Sequence, residues 1–256
     1  RGRGMLDILE PDSTRFLGFD LDVASLDLRT VQYLFPSFLR LGGTVAGTVT
    51  LDSLWLDVRF SEANVTHRRG AGAPSRVTGS GRVTYGEDFM TYDLDVAAQP
   101  VSLTMLSRAY PLRLKGLMSG PVRARGTTDS LRVTVDLRGD AGRVTYDGVV
   151  DAYPLSIAAR GTGRVEELRL EELVDVAKVP PGWVTGAFEV GVRGDTSDLA
   201  TLQGSAAFLL ERSEIDSIRI FPSTVRGRFA DGTMFLDTLR VESTAARLTA
   251  SGALSL

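Results

Sequence analysis

The chain has no cysteine among its 256 residues. That excludes disulfides, thiolate metal sites and thiol nucleophiles. It has a single histidine, His67, so Ser-His-Asp chemistry and His-rich metal cages have almost nothing to draw on. Long hydrophobic runs are also missing. The longest is Ala206–Leu210, far below the ~20 residues that a membrane-spanning helix needs. Neither sign of charge dominates: 29 basic residues stand against 32 acidic ones, a net charge of −3. This balance gives no electrostatic footprint for nucleic acid and predicts no polybasic face for anionic lipid headgroups. The chain opens Arg1-Gly2-Arg3-Gly4, with neither an initiator Met nor the apolar core of a signal peptide. It reads as a segment of a longer protein, with any anchor or address lying outside it.

What is present is repetition. Arg82-Val83-Thr84-Tyr85 recurs as Arg143-Val144-Thr145-Tyr146, 61 residues later. Tyr92-Asp93-Leu94-Asp95-Val96 is mirrored upstream by Phe19-Asp20-Leu21-Asp22-Val23, a shift of 73. The same shift carries Gly43-x-x-x-Gly47 onto Gly116-x-x-x-Gly120, and a third copy stands at Gly182-x-x-x-Gly186. Arg247–Leu256 echoes Arg76–Tyr85. Recurrence in constant order marks a repeat array. The divisions expected are 19–91, 92–152 and 153–256, the last incomplete or divergent, all within one continuous β-repeat segment over 1–256.

Most of each unit alternates apolar and polar residues with a period of two, as strands with one dry and one wet face do. In Ser130–Arg138, Leu131, Val133, Val135 and Leu137 point one way, and Arg132, Thr134, Asp136 and Arg138 the other. Thr44–Asp52, Phe188–Arg193 and Arg247–Leu256 read alike. Gly139–Gly142 and Ala230–Thr233 read as hairpin turns. Leu28–Leu39, Ser102–Tyr110 and Val165–Val179 break the alternation with helical spacing, which predicts one short helical connector per repeat. In the third, Glu166, Glu167, Glu171 and Glu172 suit the start of a helix, and Pro180-Pro181 suits its stop. The expected fold class is therefore mainly β: an elongated, antiparallel-rich repeat sheet.

These features together resemble the repeats of the AsmA-like, TamB-type family of the Gram-negative envelope. The shared elements are a strand closing on Leu-Asp-Val, a Pro-containing helical connector, a Gly-x-x-x-Gly strand, a Gly-then-Leu turn and a final Gly-x-Leu-x-Leu strand, here Gly252–Leu256. The resemblance covers the chain from about Phe19 onward. It implies a sheet curled into a taco-like groove with an apolar interior, lying in the periplasm of a protein anchored in the inner membrane. It also implies a role in outer-membrane biogenesis. The partners it implies are phospholipid acyl chains or an outer-membrane BamA/TamA-like β-barrel, with no nucleic acid and no cofactor. The groove-lining candidates are Val45, Val49, Leu51, Val83, Tyr85, Leu94, Val96, Leu131, Val133, Val135, Leu137, Val144, Tyr146, Leu155, Ile157, Phe188, Val190, Val192, Leu239, Val241 and Leu248. Taken alone, alternation equally fits a sealed core, as in a β-helix or a stacked sandwich.

The sharper chemical readings are weaker. His67 lies in Asn64–Arg76, which reads as an exposed loop, and without partners it is no catalytic base. Arg68, Arg69 and Arg76 either reach lipid phosphates or are solvated, the plainer expectation. Asp20/Asp22 and Asp93/Asp95 share strand faces, but no Asp-x-Asp-x-Asp-Gly loop supplies the ligands Ca²⁺ requires. Gly120–Gly126 lacks the Gly-Lys-Ser/Thr of a phosphate loop. Asn64-Val65-Thr66 fits a glycosylation sequon, a triplet common by chance. A non-catalytic protein is expected, either a lipid-shielding groove, a scaffold that accepts strands of barrel proteins, or an adhesin stalk. Raw sheet edges predict poor solubility for the isolated chain. A stable, detergent-free monomer in sedimentation would contradict that expectation.

Overall fold

A computed structural model describes residues 1–8, 14–34, 42–70, 72–86, 90–105, 113–152, 156–195 and 198–255. Seventeen strands form one antiparallel sheet that does not close. They are β1 Gly2–Asp7, β2 Arg15–Asp27, β3 Thr44–Leu54, β4 Asp57–Arg68, β5 Ser75–Tyr85, β6 Met90–Ser102, β7 Leu117–Thr127, β8 Ser130–Gly139 and β9 Gly142–Asp151. They continue with β10 Ser156–Leu168, β11 Gly182–Asp195, β12 Gln203–Leu210, β13 Ser213–Ile215, β14 Ile218–Ile220, β15 Ser223–Ala230, β16 Thr233–Glu242 and β17 Arg247–Ser255.

The pairing is a meander, each strand bonded to the next along the chain except on either side of the β13–β14 hairpin. At one point the β12–β15 hairpin steps sideways. There β13 pairs with the start of β11 through Gly182↔Ile215, and Ile220 at the end of β14 bridges Ser243 after β16. A β-helix, which needs parallel coils, is excluded by this topology. The two-residue turns read from the sequence are present at Gly139↔Gly142 and Ala230↔Thr233. In the second, Asp231 and Gly232 have φ of 50° and 67°, the left-handed pair that matches strand twist.

One helix per repeat is not what forms. The first connector holds a seven-residue helix, α1, at Leu28–Leu34. In the third, Val165–Leu168 continue β10 and only Leu170–Leu173 make a single helical turn, α2. Of the second, Ser102 ends β6, Thr104 and Met105 are helical, and 106–112 lie outside the described residues. Alternation persisting through Val165 and backbone pairing to β11 outweigh the helical spacing there. No helix among the described residues is long and apolar enough to cross a membrane.

The repeat is visible in the register as a recurring β-bulge. Val23 opposes Gly47 and Leu26 opposes Val45, so β2 carries one extra residue. Ala98 opposes Gly120 and Val101 opposes Met118. Val165 opposes Gly186 and Leu168 opposes Val184. Each bulge thus begins opposite the second glycine of a Gly-x-x-x-Gly, where the bulged strand bends. Gly120 shows why no side chain fits: its φ is +145°, and a Cβ would lie 2.0 Å from the Asp136 carbonyl oxygen.

The chain exposes 15282 Å². A compact monomer of 27.6 kDa would expose about 11,000 Å², so this is a thin, largely single-layered object. Gly120→Val should lower stability by about 2–4 kcal/mol through clash and backbone strain. Gly191→Ala, whose Cβ would meet nothing within 4 Å, should stay within about 0.5 kcal/mol. Thermal and denaturant unfolding followed by circular dichroism would compare the two.

Candidate functional site: an apolar sheet face without a second layer

Directly opposed residues in antiparallel strands share a face, so the register sorts every side chain. Leu51 and Val49 of β3 oppose Phe19 and Leu21 of β2, and Val45 opposes Leu26 past the bulge. Leu51 also opposes Phe60 of β4, whose Val58 opposes Val83 of β5. Val83 opposes Tyr92, Tyr85 opposes Met90, and Leu94 and Val96 oppose Gly81 and Gly79. Val96 then meets Val122 of β7, which meets Val135 of β8. Val133 and Leu131 meet Ala124 and Gly126 on the same side. Across the next pair Val135 faces Tyr146 and Leu137 faces Val144.

The same face continues through Gly163 to Phe188, with Val190 and Val192 beside it. It then passes through Phe208 and Val225 to Leu239, with Val241 opposite Leu248. One face of the sheet therefore holds every groove candidate whose side chain is described. Leu155 lies outside the described residues. Ile157 pairs with Gly194 through its backbone, and its side chain lies outside them.

These side chains are half-buried, except Leu248 at 51% exposure. No second layer of described residues covers the face along most of its length. Its partial burial comes from its own neighbours. Identical adjacent residues show which side is sheltered: Val149 and Leu209, on the opposite face, are 38% and 48% exposed, whereas Val150 and Leu210 on the apolar face are half-buried.

Fully buried apolar residues concentrate where connectors fold over one end of the strands. Leu103, Met118 and Ala141 cluster there with Leu114, Leu137, Val144 and Leu173. Val165, Leu168 and Val184 cluster beside them. The strap is made by two connectors joining: Leu114 bridges Val174, and the Asp175 N–H donates to the Arg113 carbonyl at 2.8 Å.

Glycines on the apolar face let large side chains lie flat. A Cβ on Gly163 would sit 2.3 Å from the Phe188 ring, and one on Gly148 would sit 2.4 Å from the Tyr146 hydroxyl. Tyr146 and Phe188 flank Gly163 with parallel rings, centroids 6.4 Å apart.

The other face is a ladder of ions. Arg125 binds Asp93 at 2.7 Å and Arg123 binds Asp95 at 3.1 Å, both from β7 to β6. Arg132 binds Asp147 at 2.9 Å. Arg143 bridges Asp136 and Glu166 at 2.7 and 3.0 Å, and Arg164 reaches Glu211 at 2.6 Å. Arg82, the repeat equivalent of Arg143, holds Asp57 in the same way. The Arg143 guanidinium keeps the Asp136 and Glu166 carboxyls below the usual carboxylate range. Arg164 does so for Glu211 and Arg82 for Asp57.

Concavities of about 560 and 680 Å³ lie on this charged side over β8–β15. Their floors are small residues such as Ala158, Gly191, Ala187 and Ala207, between taller Arg160, Arg193, Glu189 and Arg226. They are shallow pits whose rims are ionic, and the larger one is floored by apolar surface that includes the exposed Leu209.

His67 requires a correction. It belongs to β4 and is half-buried, with Nε2 2.7 Å from the Gly42 carbonyl, because pairing with β3 and β5 carries the strand through a segment that reads as a loop. Among the described residues no three His, Cys, Asp or Glu side chains gather to hold a metal ion. Asp93 and Asp95 are held by arginines, and Asp20 accepts a hydrogen bond from the Thr50 hydroxyl at 2.7 Å.

Sequence reasoning missed Phe208, Tyr92 and Met118 as members of the apolar face. Phe208 sits in the uninterrupted run Ala206–Leu210, where alternation is silent; only its pairing with Phe188 assigns its side. No protein-family model matches the chain, and neither does any curated protein or solved structure.

The depressed carboxyls fix the sign of the acid response. Their contribution is present above the ordinary carboxylate range and is lost as pH falls through the lower folded values. The melting temperature should therefore be flat from neutral pH to about 5 and fall below about pH 4. The fall should be smaller in Arg143→Gln, where Asp136 and Glu166 lose their partner. Melting curves across pH for the two proteins test this.

Proposed function

We propose that the apolar face shields lipid acyl chains, and that the chain is a β-groove segment of the AsmA-like, TamB-type kind, acting in the periplasm between inner and outer membranes. One observation carries the reading: alternating apolar residues of successive strands fall on a single face, in register, and no second layer of described residues covers most of it. A soluble protein that leaves so large an apolar face half-dry has a partner for it. Each methylene taken from water onto such a face is worth about 0.8 kcal/mol. Valine, leucine and phenylalanine side chains make no directional contacts, so a chain can slide along them. Such work needs no catalytic group.

A second reading has its own support. The outer edge of β17 has no strand partner among the described residues, and such an edge accepts extended segments of barrel proteins by β-augmentation.

Photo-crosslinking amino acids at Val133 and Val190, with Thr134 as the outward control, separate these readings in an envelope extract. Lipid adducts at the first two and none at Thr134 are expected. Adducts to nascent barrel proteins would replace the lipid reading with the scaffold, and no adducts at either position would end both.

A further inference from the structure

The near-zero net charge conceals a local basic corner at one end of the strands β2–β7. Because the sheet is a meander, its turns fall alternately at two ends of the strands. At one end the described turns and their flanks carry Asp57, Asp129, Asp151, Asp195, Asp198 and Asp231, with no Lys or Arg in the turns themselves. At the other end, the described residues of the connectors 28–43, 69–74 and 103–116 carry Arg29, Arg69, Arg113 and Lys115 and no Asp or Glu. The later turn and connector there carry Asp140, Glu171, Glu172 and Asp175 beside Arg169 and Lys178, so the basic character is confined to the corner over β2–β7.

Two of these basic connectors meet around Arg69. Its side chain lies beside Gly42 and Gly43, at the end of the first connector. His67 binds Gly42, and Leu28, which opens α1, donates its N–H to the Gly43 carbonyl at 2.9 Å. A small concavity joins Arg69 and Ser75 to Thr104 and Met105 of the connector 103–116. Arg68 and Arg76 flank Arg69 in sequence, both exposed, and Arg76 donates to the neutral Asn64 side chain. At the same strand end, α1, whose first residue is tied to Gly43, presents Tyr33 at 86% exposure and Leu34 at 61%.

Carboxylates bound the patch on both sides. Asp27 pairs with Arg29 at 3.2 Å, and Glu171, Glu172 and Asp175 lie on the strap that meets Arg113 and Lys115.

We infer that this corner, Arg68, Arg69 and Arg76 with Tyr33 and Leu34, docks the sheet on an anionic lipid surface, strand ends first, with the aspartate end held away. Arginines supply attraction to headgroup phosphates, and an exposed Tyr beside an exposed Leu suits the interface between headgroup and acyl chain. The exposed aliphatic Leu34 favours a bilayer over a nucleic acid, which would use the arginines and could stack on Tyr33 but has no use for a leucine. The inference stands on charge placement and is independent of acyl chains entering the apolar face. Its test reads vesicle binding, whereas the crosslinkers at Val133 and Val190 read the interior.

The probe is flotation with vesicles of phosphatidylcholine, with and without 30% phosphatidylglycerol (about one anionic headgroup in three), at low and high salt. Binding to the anionic vesicles alone is expected, weakening with salt. Arg68→Glu/Arg69→Glu/Arg76→Glu should weaken it on the order of a hundredfold. The milder Arg→Gln triple, with folding checked by circular dichroism, should lower it to a lesser degree. Asp129→Asn/Asp198→Asn/Asp231→Asn at the far end should leave it unchanged or stronger. Equal binding to neutral vesicles, or binding indifferent to both arginine triples, would overturn the inference. So would a single-stranded oligonucleotide that binds as tightly and ignores Leu34→Ser, which would mark a nucleic-acid surface instead.

Discussion

Cross-strand register is the constraint on which the molecule depends. Side chains alternate with a period of two, so a slip of one residue in any pair would send that strand's valines and leucines to the ionic side. With no second layer of described residues over most of the face to enforce orientation, the backbone ladder and same-face contacts must hold it. Arg143, Asp136 and Glu166 on one surface, and Tyr146, Gly163 and Phe188 on the other, lock β8 to β11 by chemically unlike means at the same place. Misregistry would separate ion pairs and drive a ring into a glycine-sized space at once.

Much of this was legible beforehand because alternation is a local property. Leu131 to Leu137 could be assigned to one side from nine residues of sequence, and Asp231-Gly232 announced its own turn. That the dry sides of all strands coincide was less accessible, since it requires each bulge to be counted. Val23 and Leu26 have opposite parity in the sequence, yet share a face because an extra residue intervenes opposite Gly47. The failures share a cause. Glu166 and Glu167 looked like a helix start and His67 looked like a loop residue, because backbone pairing with distant strands is invisible to local spacing.

Charge shows the same limit at a larger scale. A total of −3 over the whole chain suggested an electrostatically featureless protein. Folding as a meander sorts connectors by whether they follow an even-numbered or an odd-numbered strand. Residues far apart in sequence, such as Asp129 and Asp231, come to share one end. Composition averages over a division that only topology makes.

The recurring bulge carries a structural consequence for how such a chain grows. Since the same discontinuity returns at β2, β6 and β10, a block of four strands begins and ends in the same phase. Duplicating or deleting a whole block leaves inside and outside undisturbed, whereas an odd strand would reverse direction and an uncompensated residue would invert polarity. Length is thereby quantised in steps of about 19 Å, four strand spacings. Span can be lengthened or shortened by copying a block, with no new solution to the packing problem required.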